Sequence, residues 1–417
     1  MKAMVSFFFM LALAISLPAQ TPSWPQWRGP AGNNTSAETD WDSLALRDGA
    51  KVLWMADLGF GYSGIAIKDN RLYAAGRTSR YPHQLAYYCM DASTGRVIWK
   101  SLFDNKGVFP QSTPAIDGDR LYALNDDGLL RCLQAADGKL VWGKNLQVDF
   151  HIFKPGYDWS TSPVVEGRLL LLSANSRGLA LDKSNGDLVW AIDDTRQEPS
   201  GNPDLDGVAS VVVADFQEKR VAVFSLAATI VGVDVATGDK LWSYTLKSPG
   251  VIHDPVVSGG RVLITDWSIL LEPGADVPKE VWISPTAFGS WPAPVLIGGY
   301  LYGTDFPNGF SPGSWGAFQY IHPVMLCMDW TTGNVVWKKA FPWVELTTAN
   351  GKLIALELNG TLHIGEVSPS GYTELSSADV FGGAKKQRTF AAPPVLCNGK
   401  IYCRNSNGEL LCIDVGK

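Results

Sequence analysis

The stretch Asp91-Ala92-Ser93-Thr94-Gly95-Arg96-Val97-Ile98-Trp99 contains the pattern that decides the fold. In this stretch a glycine follows an aspartate by four positions, and a tryptophan follows the glycine by four. The same spacing begins again at Asp182, Asp234 and Asp329, and a weaker copy begins at Gln134. A fixed spacing that returns every ~40–55 residues is typical of a repeat architecture, in which copies of one small unit stack on each other.

Each copy predicts a β-hairpin with a tight loop. The aspartate can accept hydrogen bonds from backbone amides inside the loop, and the glycine supplies the positive φ that closes it. The tryptophan then presents a large apolar face that can pack between neighbouring sheets. One such unit cannot bury both of its faces alone, so the copies must stack. The tryptophans expected between sheets are Trp54, Trp99, Trp142, Trp190, Trp242, Trp282 and Trp337.

The units predict an all-β fold, an eight-bladed β-propeller of four-stranded antiparallel blades. Short alternating strands separated by turns such as Asp-Gly and Asn-Gly are typical of such blades. The fifth and seventh units are degenerate, so a seven-bladed ring is the alternative. The last unit ends near Asp414 without a tryptophan strand, whereas Trp54 stands in an unassigned strand near the N-terminus. We therefore expect the Trp54 strand to complete the last blade and close the ring.

The segment before the propeller is predicted to have two parts. Residues 1–20 have Lys2, an apolar run and small residues near Ala19, as in a cleavable signal peptide, and the run is shorter than a bilayer span. This predicts a periplasmic or secreted protein with no membrane span after cleavage and no lipid-anchor cysteine. Residues 21–50 are predicted to form an extended strap on the propeller, and a separate ligand-binding role for them is the alternative. The propeller itself is assigned to residues 51–417.

The charge and cysteine content exclude several functions. The net charge is −6 and no lysine or arginine cluster occurs, which argues against nucleic-acid binding. Four of the six cysteines share one repeat position with Ala180 and Gly232, which indicates a buried slot for small residues rather than a metal site. They are Cys89, Cys132, Cys327 and Cys412. Whether Cys397 and Cys403 pair across the turn between them stays open, and no metal site is predicted.

The repeat Leu-x-x-x-Asp-x-x-Thr-Gly-x-x-x-Trp resembles that of the pyrroloquinoline quinone (PQQ) type propellers, over about residues 51–417. It is also similar to the BamB family of outer-membrane assembly scaffolds. The second resemblance implies a non-catalytic, monomeric scaffold whose partners are envelope or secreted proteins. The first implies, as an alternative, a PQQ-dependent oxidoreductase that uses PQQ and calcium. The adjacent cysteine pair of the quinoproteins is absent, and their calcium ligands cannot be matched here, so we assign no cofactor.

The predicted ligand site lies where the connectors between blades line the mouth of the central channel. Apolar walls with a few polar groups are the default ligand site of a protein. The candidate residues are Gln111, His151, Tyr157, Asp158, Trp159, His253, Asp254, Trp291 and Arg388. One alternative is that the aromatic residues simply plug the channel, and another is that Tyr157, Trp159 and Trp291 stack on a glycan. Catalytic residues are not assigned, because zinc-hydrolase, serine-hydrolase and P-loop motifs do not occur.

Overall fold

The computed structural model describes residues 22–79, 84–104, 110–152, 154, 159–175, 177–193, 209–226, 229–247, 253–274, 276–285, 288, 293–305, 323–382 and 392–417. The predicted signal peptide, residues 1–20, lies outside this part. Apart from one short α-helix, α1 (Leu146–Asp149), and a 3-10 turn (Thr265–Trp267), the regular elements described are strands. Within these residues, no helix has the length and apolar character that a bilayer crossing requires.

Thirty-three strands are present in the described residues. The N-terminal segment contributes β1 (Thr35–Ser36) and β2 (Val52–Asp57). Blade 1 contains β3 (Ile65–Lys68), β4 (Arg71–Ser79), β5 (Gln84–Asp91) and β6 (Val97–Asp104), and blade 2 contains β7 (Ala115–Asp117), β8 (Arg120–Leu124), β9 (Leu129–Gln134) and β10 (Leu140–Asn145). Blade 3 contains β11 (Val164–Glu166), β12 (Leu169–Ala174), β13 (Arg177–Asp182) and β14 (Leu188–Asp193), and blade 4 contains β15 (Val212–Phe216), β16 (Lys219–Leu226), β17 (Thr229–Asp234) and β18 (Lys240–Thr245).

The remaining blades continue in chain order. Blade 5 contains β19 (Val256–Ser258), β20 (Arg261–Ile264), β21 (Ile269–Glu272) and β22 (Lys279–Ile283), and blade 6 contains β23 (Val295–Ile297), β24 (Tyr300–Asp305), β25 (Val324–Asp329) and β26 (Val335–Ala340). Blade 7 contains β27 (Val344–Ala349), β28 (Lys352–Glu357), β29 (Thr361–Ser368) and β30 (Gly371–Asp379). Blade 8 contains β31 (Val395–Leu396), β32 (Lys400–Arg404) and β33 (Glu409–Asp414), with β2 as its fourth strand.

The sheets confirm the predicted architecture. Seven of the blades are separate four-stranded sheets, and blade 7 is a four-stranded sheet with β1 added in parallel to its inner strand β27. The four strands of each blade pair antiparallel, and they follow chain order except in blade 8, where β2 from the N-terminal segment is the outer strand. The fold is therefore an eight-bladed propeller, and the seven-bladed alternative is wrong.

The ring closes as the sequence predicted. Strand β2 pairs antiparallel with β33, and Trp54 stands opposite Cys412. The Lys51 ammonium lies 2.7 Å from the Asp414 carboxylate, so the two ends of the propeller also share an ion pair. The first and last strands of the ring thus belong to one sheet.

The repeated aspartate and glycine have the predicted roles in the loop. The Asp91 carboxylate accepts hydrogen bonds from the backbone amides of Ser93 and Thr94, at 3.0 and 2.9 Å. Gly95 has a φ of 71°. The carboxylate therefore satisfies amides that the tight turn leaves without a backbone partner.

The repeated tryptophan and glycine also meet across the boundary between blades. A Cβ added to Gly95 would lie 2.6 Å from the indole of Trp54, which belongs to the preceding blade. Four further pairs have the same arrangement: Gly138 with Trp99, Gly186 with Trp142, Gly238 with Trp190 and Gly333 with Trp282. The indole N–H then donates to a carbonyl of the next blade, as from Trp99 to Ala135 at 2.9 Å. The motif is thus an inter-blade contact as well as a turn.

The register explains the slot for small residues. Cys89 stands directly opposite Trp99, and Gly232 stands opposite Trp242. A Cβ on Gly232 would lie 2.1 Å from the Trp242 ring, so a large side chain has no room there. All six cysteines are buried and unpaired, and Cys397 faces Lys400 across its turn rather than Cys403. Burial raises the pKa of Cys89 to about 11, which leaves a thiol that is unreactive at neutral pH.

The boundary between blades 7 and 8 departs from this pattern. Blade 7 has no tryptophan at the repeat position, and blade 8 has no loop to receive one, because its outer strand comes from the N-terminus. Trp41 and Leu46 of the strap are buried there, in one apolar cluster with residues of both blades. Ser376 of blade 7 donates to the strap, and the strap amide of Asp42 donates to Val415, both at 2.7 Å. The strap therefore replaces the missing contact.

Candidate functional site

The wall of the central channel is held together by side chains at the starts of the inner strands. In blades 2 to 5 this position holds an oxygen-bearing side chain that accepts the backbone N–H of its counterpart in the preceding blade. The bonds run from Gly64 to Thr113 Oγ1 (2.8 Å), from Thr113 to Ser162 Oγ (2.9 Å), from Ser162 to Ser210 Oγ (3.0 Å) and from Ser210 to Asp254 Oδ1 (2.5 Å). These bonds connect five consecutive blades around the channel.

Asp254, a predicted site residue, is the end of this series and the anchor of the strap. Its second oxygen accepts the indole N–H of Trp27 at 2.6 Å and lies 3.6 Å from the Arg28 guanidinium. Arg28 also donates to the Pro255 carbonyl at 3.3 Å. Burial lowers the pKa of Arg28, and the Asp254 carboxylate opposes that effect. The carboxylate is thus fully engaged inside the protein, with a side chain only 9% exposed.

The strap residues before Trp27 cover the inner edges of the first three blades. Trp24 exchanges two backbone hydrogen bonds with Ile67 of blade 1, at 2.8 and 2.7 Å. The Pro25 carbonyl accepts the N–H of Ile116 in blade 2 at 2.8 Å. The Gln26 side chain accepts the N–H of Val165 in blade 3 at 3.2 Å. Three successive strap residues therefore satisfy equivalent donors of three successive blades.

Residues 24–28, which we call the plug, fill one side of the channel. The Trp27 ring reaches the start of blade 1, where it would lie 3.4 Å from a Cβ on Gly64. Trp24 is buried at 2% exposure, and Arg28 at 3%. From Trp24 to Arg28 the chain passes from blade 1 to blade 5, so the plug crosses the channel.

Blade 7 places a second carboxyl group, that of Glu345, at the same position relative to its inner strand as Asp254 in blade 5. Glu345, like Gly64, lies four residues before the last residue of its inner strand. Burial raises its pKa to about 8, so this carboxyl group is mostly neutral at pH 7. Among the described residues it has no hydrogen-bond or ion-pair partner in the structure.

The other predicted site residues that the structure describes have separate surroundings. His253 turns its ring and its backbone N–H towards Asp266 of the 3-10 turn. Gln111 is half-buried in a connector, and His151 is exposed with a φ of 56°. Trp159 is 1% exposed in the apolar core between blades 2 and 3, so its ring has no free face for a glycan. Tyr157, Asp158, Trp291 and Arg388 lie outside the described residues.

Sequence reasoning missed the groups that meet Asp254. Sequence reasoning places Trp27 and Arg28 in the strap, and it assigns no role to the hydroxyls of Thr113 and Ser162. A signal was present, because both hydroxyl residues precede a proline at the start of an inner strand. The proline has no N–H to donate, and the hydroxyl before it is the group that reaches the neighbouring blade.

The described residues do not fit a PQQ–calcium group. They contain no cluster of three or more histidine, cysteine or acidic side chains that could hold a metal ion. The cysteines are dispersed in the buried strands, and the plug takes up the Asp254 carboxylate at the channel wall. We derive no chemistry through this cofactor.

The fold and the channel define an eight-bladed propeller of the PQQ-like repeat type, in which an N-terminal segment of the chain crosses the channel. Residues 88–339 match the family model described as outer membrane protein assembly factor BamB. The match covers more than half of the chain, and the chain belongs to this family.

Individual relatives are distant. The BamB protein of Yersinia pestis is 22% identical over 264 residues, which cover 61% of this chain and 64% of the relative. The BamB protein of Moranella endobia is 24% identical over 239 residues, 52% of this chain and 55% of the relative. The chain thus spans less than two thirds of the length of these curated relatives.

Solved structures show the same fold in proteins of different function. BamB from Moraxella catarrhalis superposes with a TM-score of 0.60 at 16% identity, over 87% of this chain and 97% of that one. The quinohemoprotein alcohol dehydrogenase from Comamonas testosteroni superposes with a TM-score of 0.64 at 15% identity, over 96% and 81%. At these identities the likeness concerns the fold alone, so function has to be argued from the site.

Proposed function

We propose that the protein is a non-catalytic scaffold of the cell envelope, which is exported and binds other envelope or secreted proteins. Membership of a family described as an assembly factor supports this role. The observation that carries it is the plug, because its Trp27 and Arg28 engage the Asp254 carboxylate, which is one of the predicted ligand-site groups. A propeller whose channel is taken up by its own chain leaves its outer surface for partners. We propose a periplasmic or secreted monomer.

Affinity capture tests the scaffold role. The tagged full-length chain is expressed with its N-terminal segment, cross-linked in cells, and recovered from the envelope fraction at physiological salt. The matched control is the same chain without residues 1–20, which we expect to stay out of the envelope. We expect envelope proteins to be enriched with the first chain and absent with the control. Recovery of no partner with either chain contradicts the proposal.

A second experiment separates the scaffold from the PQQ-dependent oxidoreductase. PQQ and calcium are added to the purified chain, and quinone absorbance and dye reduction are followed with alcohols and sugars. We expect no change in absorbance and no dye reduction. Substrate-dependent dye reduction that requires PQQ would show an enzyme and overturn the non-catalytic role.

A further inference from the structure

The strap consists of two separately anchored parts. The plug, residues 24–28, is bound to blades 1, 2, 3 and 5 as described above. Residues 34–50, which we call the lock, are bound to blades 7 and 8. There the Asn34 carbonyl accepts the Thr348 N–H at 2.8 Å, and the Glu38 carboxylate accepts the amides of Asn398 and Gly399 at 2.6 and 2.8 Å.

The residues between the plug and the lock are suited to act as a hinge. Pro30, Ala31 and Asn33 are exposed, and Gly32 has a φ of 62° with open space around it. The backbone hydrogen bonds of this stretch join strap residues to one another, as from Gly32 to Gly29 at 3.2 Å, and one of them joins the lock to the plug, from the Asn34 N–H to the Arg28 carbonyl at 2.9 Å. The closure of the ring through β2 and the lock does not involve the plug. Release of the plug therefore leaves the ring intact.

We propose that the plug is a built-in ligand, and that the channel surface beneath it is a binding site for an extended peptide with a Trp-Arg pair. The site offers the N–H groups of Ile67, Ile116 and Val165 to backbone or amide oxygens of the peptide. Its Asp254 carboxylate accepts an indole N–H at 2.6 Å and forms an ion pair with a guanidinium at 3.6 Å. A segment of another chain with these groups in the same order binds when the plug leaves. This inference stands apart from the scaffold role.

The tethered plug has a much higher effective concentration at the site than a free peptide has. A short flexible linker holds it at an effective concentration on the order of millimolar. A free peptide is therefore expected to bind measurably only when the contacts of the plug with Asp254 are weakened. Arg28→Ala removes the cation and keeps the site, whereas Asp254→Asn keeps the shape of the site and removes its charge.

Hydrogen–deuterium exchange of the full chain tests whether the plug is released as a unit. In Arg28→Ala and in Asp254→Asn we expect the amides of Ile67, Ile116 and Val165 to exchange at least tenfold faster than in the unmodified chain. The amides of Thr348 and Gly399, which the lock covers, are the internal control and should not change. Unchanged exchange in the first group, or equal acceleration in both groups, would overturn the two-part strap.

A synthetic peptide tests recognition from another chain. A peptide with the sequence of residues 22–33 is added at millimolar concentration to the full-length Arg28→Ala variant. We expect it to restore slow exchange at Ile67, Ile116 and Val165, and the same peptide with alanine in place of its arginine to have no effect. The Asp254→Asn chain should respond to neither peptide. Failure of the first peptide, or equal effects of the two, contradicts the proposed site.

Discussion

Gly138 and Gly118 lie in the same blade and both have a positive φ, of 72° and 55°, but their surroundings differ. A Cβ on Gly138 would lie 2.6 Å from the Trp99 ring, whereas a Cβ on Gly118 meets nothing within 4 Å. The first glycine is needed for both the turn and the contact between blades. The second is needed for the turn alone.

This pair allows the inter-blade contact to be measured. We expect Gly118→Ala to cost about 1 kcal/mol of folding free energy from backbone strain. Gly138→Ala should cost about 1–3 kcal/mol more, because the added methyl group also displaces the indole. Urea unfolding of both variants measures the difference. Equal losses would mean that Trp99 does not rest on this glycine.

The half-buried Glu345 predicts a dependence of stability on pH. Its pKa is raised from 4.5 to about 8 in the folded chain, so folding favours the neutral form. As pH rises from 4.5 to 8, the unfolded chain ionises first, and the unmodified protein loses stability. Glu345→Gln lacks this loss, so its stability relative to the unmodified protein should grow over that range and then level off. A difference that is constant between pH 4.5 and 8 would contradict the raised pKa of this carboxyl group.

At the scale of elements, the lock explains how blade 7 does without its tryptophan. Leu46 is fully buried between blades 7 and 8, whereas Leu44 of the same segment is 37% exposed. We expect Leu46→Ala to cost about 2–5 kcal/mol, the range for a buried leucine. Leu44→Ala should change stability by about 0.5 kcal/mol or less. Thermal unfolding of the two variants gives the comparison, and similar small losses would show that the lock does not hold this boundary.

Blade 7 has another contact of its own, a histidine between two glutamates. The His363 ring lies 2.7 Å from Glu357 of β28 on one side and 2.7 Å from Glu374 of β30 on the other. Burial alone would lower the pKa of His363, but its hydrogen bonds with Glu357 and Glu374 raise it above the usual value. The His363 ring thus joins three strands of the blade.

The raised pKa of His363 determines the direction in which pH changes the stability of the protein. The stabilisation from His363 is fully present below its unfolded pKa of about 6.5 and is lost as pH rises through the higher folded value. His363→Gln should therefore destabilise the protein more at pH 6 than at pH 9. Denaturant midpoints of both chains at the two pH values test this. An equal loss at both would indicate an uncharged ring in the fold.

The elements that follow the repeat could be predicted, whereas those that depart from it could be only partly predicted. Asp91, Gly95 and Trp99 define a turn and a strand by spacing alone, and the structure confirms both. In blade 5 the residue opposite Trp282 is Leu270, which the pattern of small residues does not anticipate. Local chemistry determines a turn, but contacts with the neighbouring blade determine what fits beside it.

The path of the strap could not be derived from sequence. The bond from Trp27 to Asp254 joins residues 227 positions apart, one in the strap and one in blade 5, so no local pattern predicts it. Blade geometry predicts Asp254 at the channel mouth, but the sequence gives no partner for it. Trp159 could not be placed either, because an aromatic residue in a connector fits equally well in a rim or in a core.

At the scale of the whole molecule, every feature of the channel depends on closure of the ring. The plug contacts blades 1, 2, 3 and 5, and the lock contacts blades 7 and 8, so the strap needs these blades in fixed places. Blade 8 has four strands because β2 joins three strands from the other end of the chain. The strap and the closing strand are continuous in sequence, so the N-terminal segment both completes the ring and covers its channel.

Zero-length carbodiimide cross-linking of the purified protein tests ring closure most directly. Lys51 and Asp414 are 2.7 Å apart across the closing pair, and Lys144 and Asp187 of blades 2 and 3 provide a control pair at 3.0 Å. We predict that mass spectrometry finds both cross-links within single chains. A control cross-link without the Lys51–Asp414 product, or a Lys51–Asp414 product found only between chains, would contradict the closed eight-bladed ring.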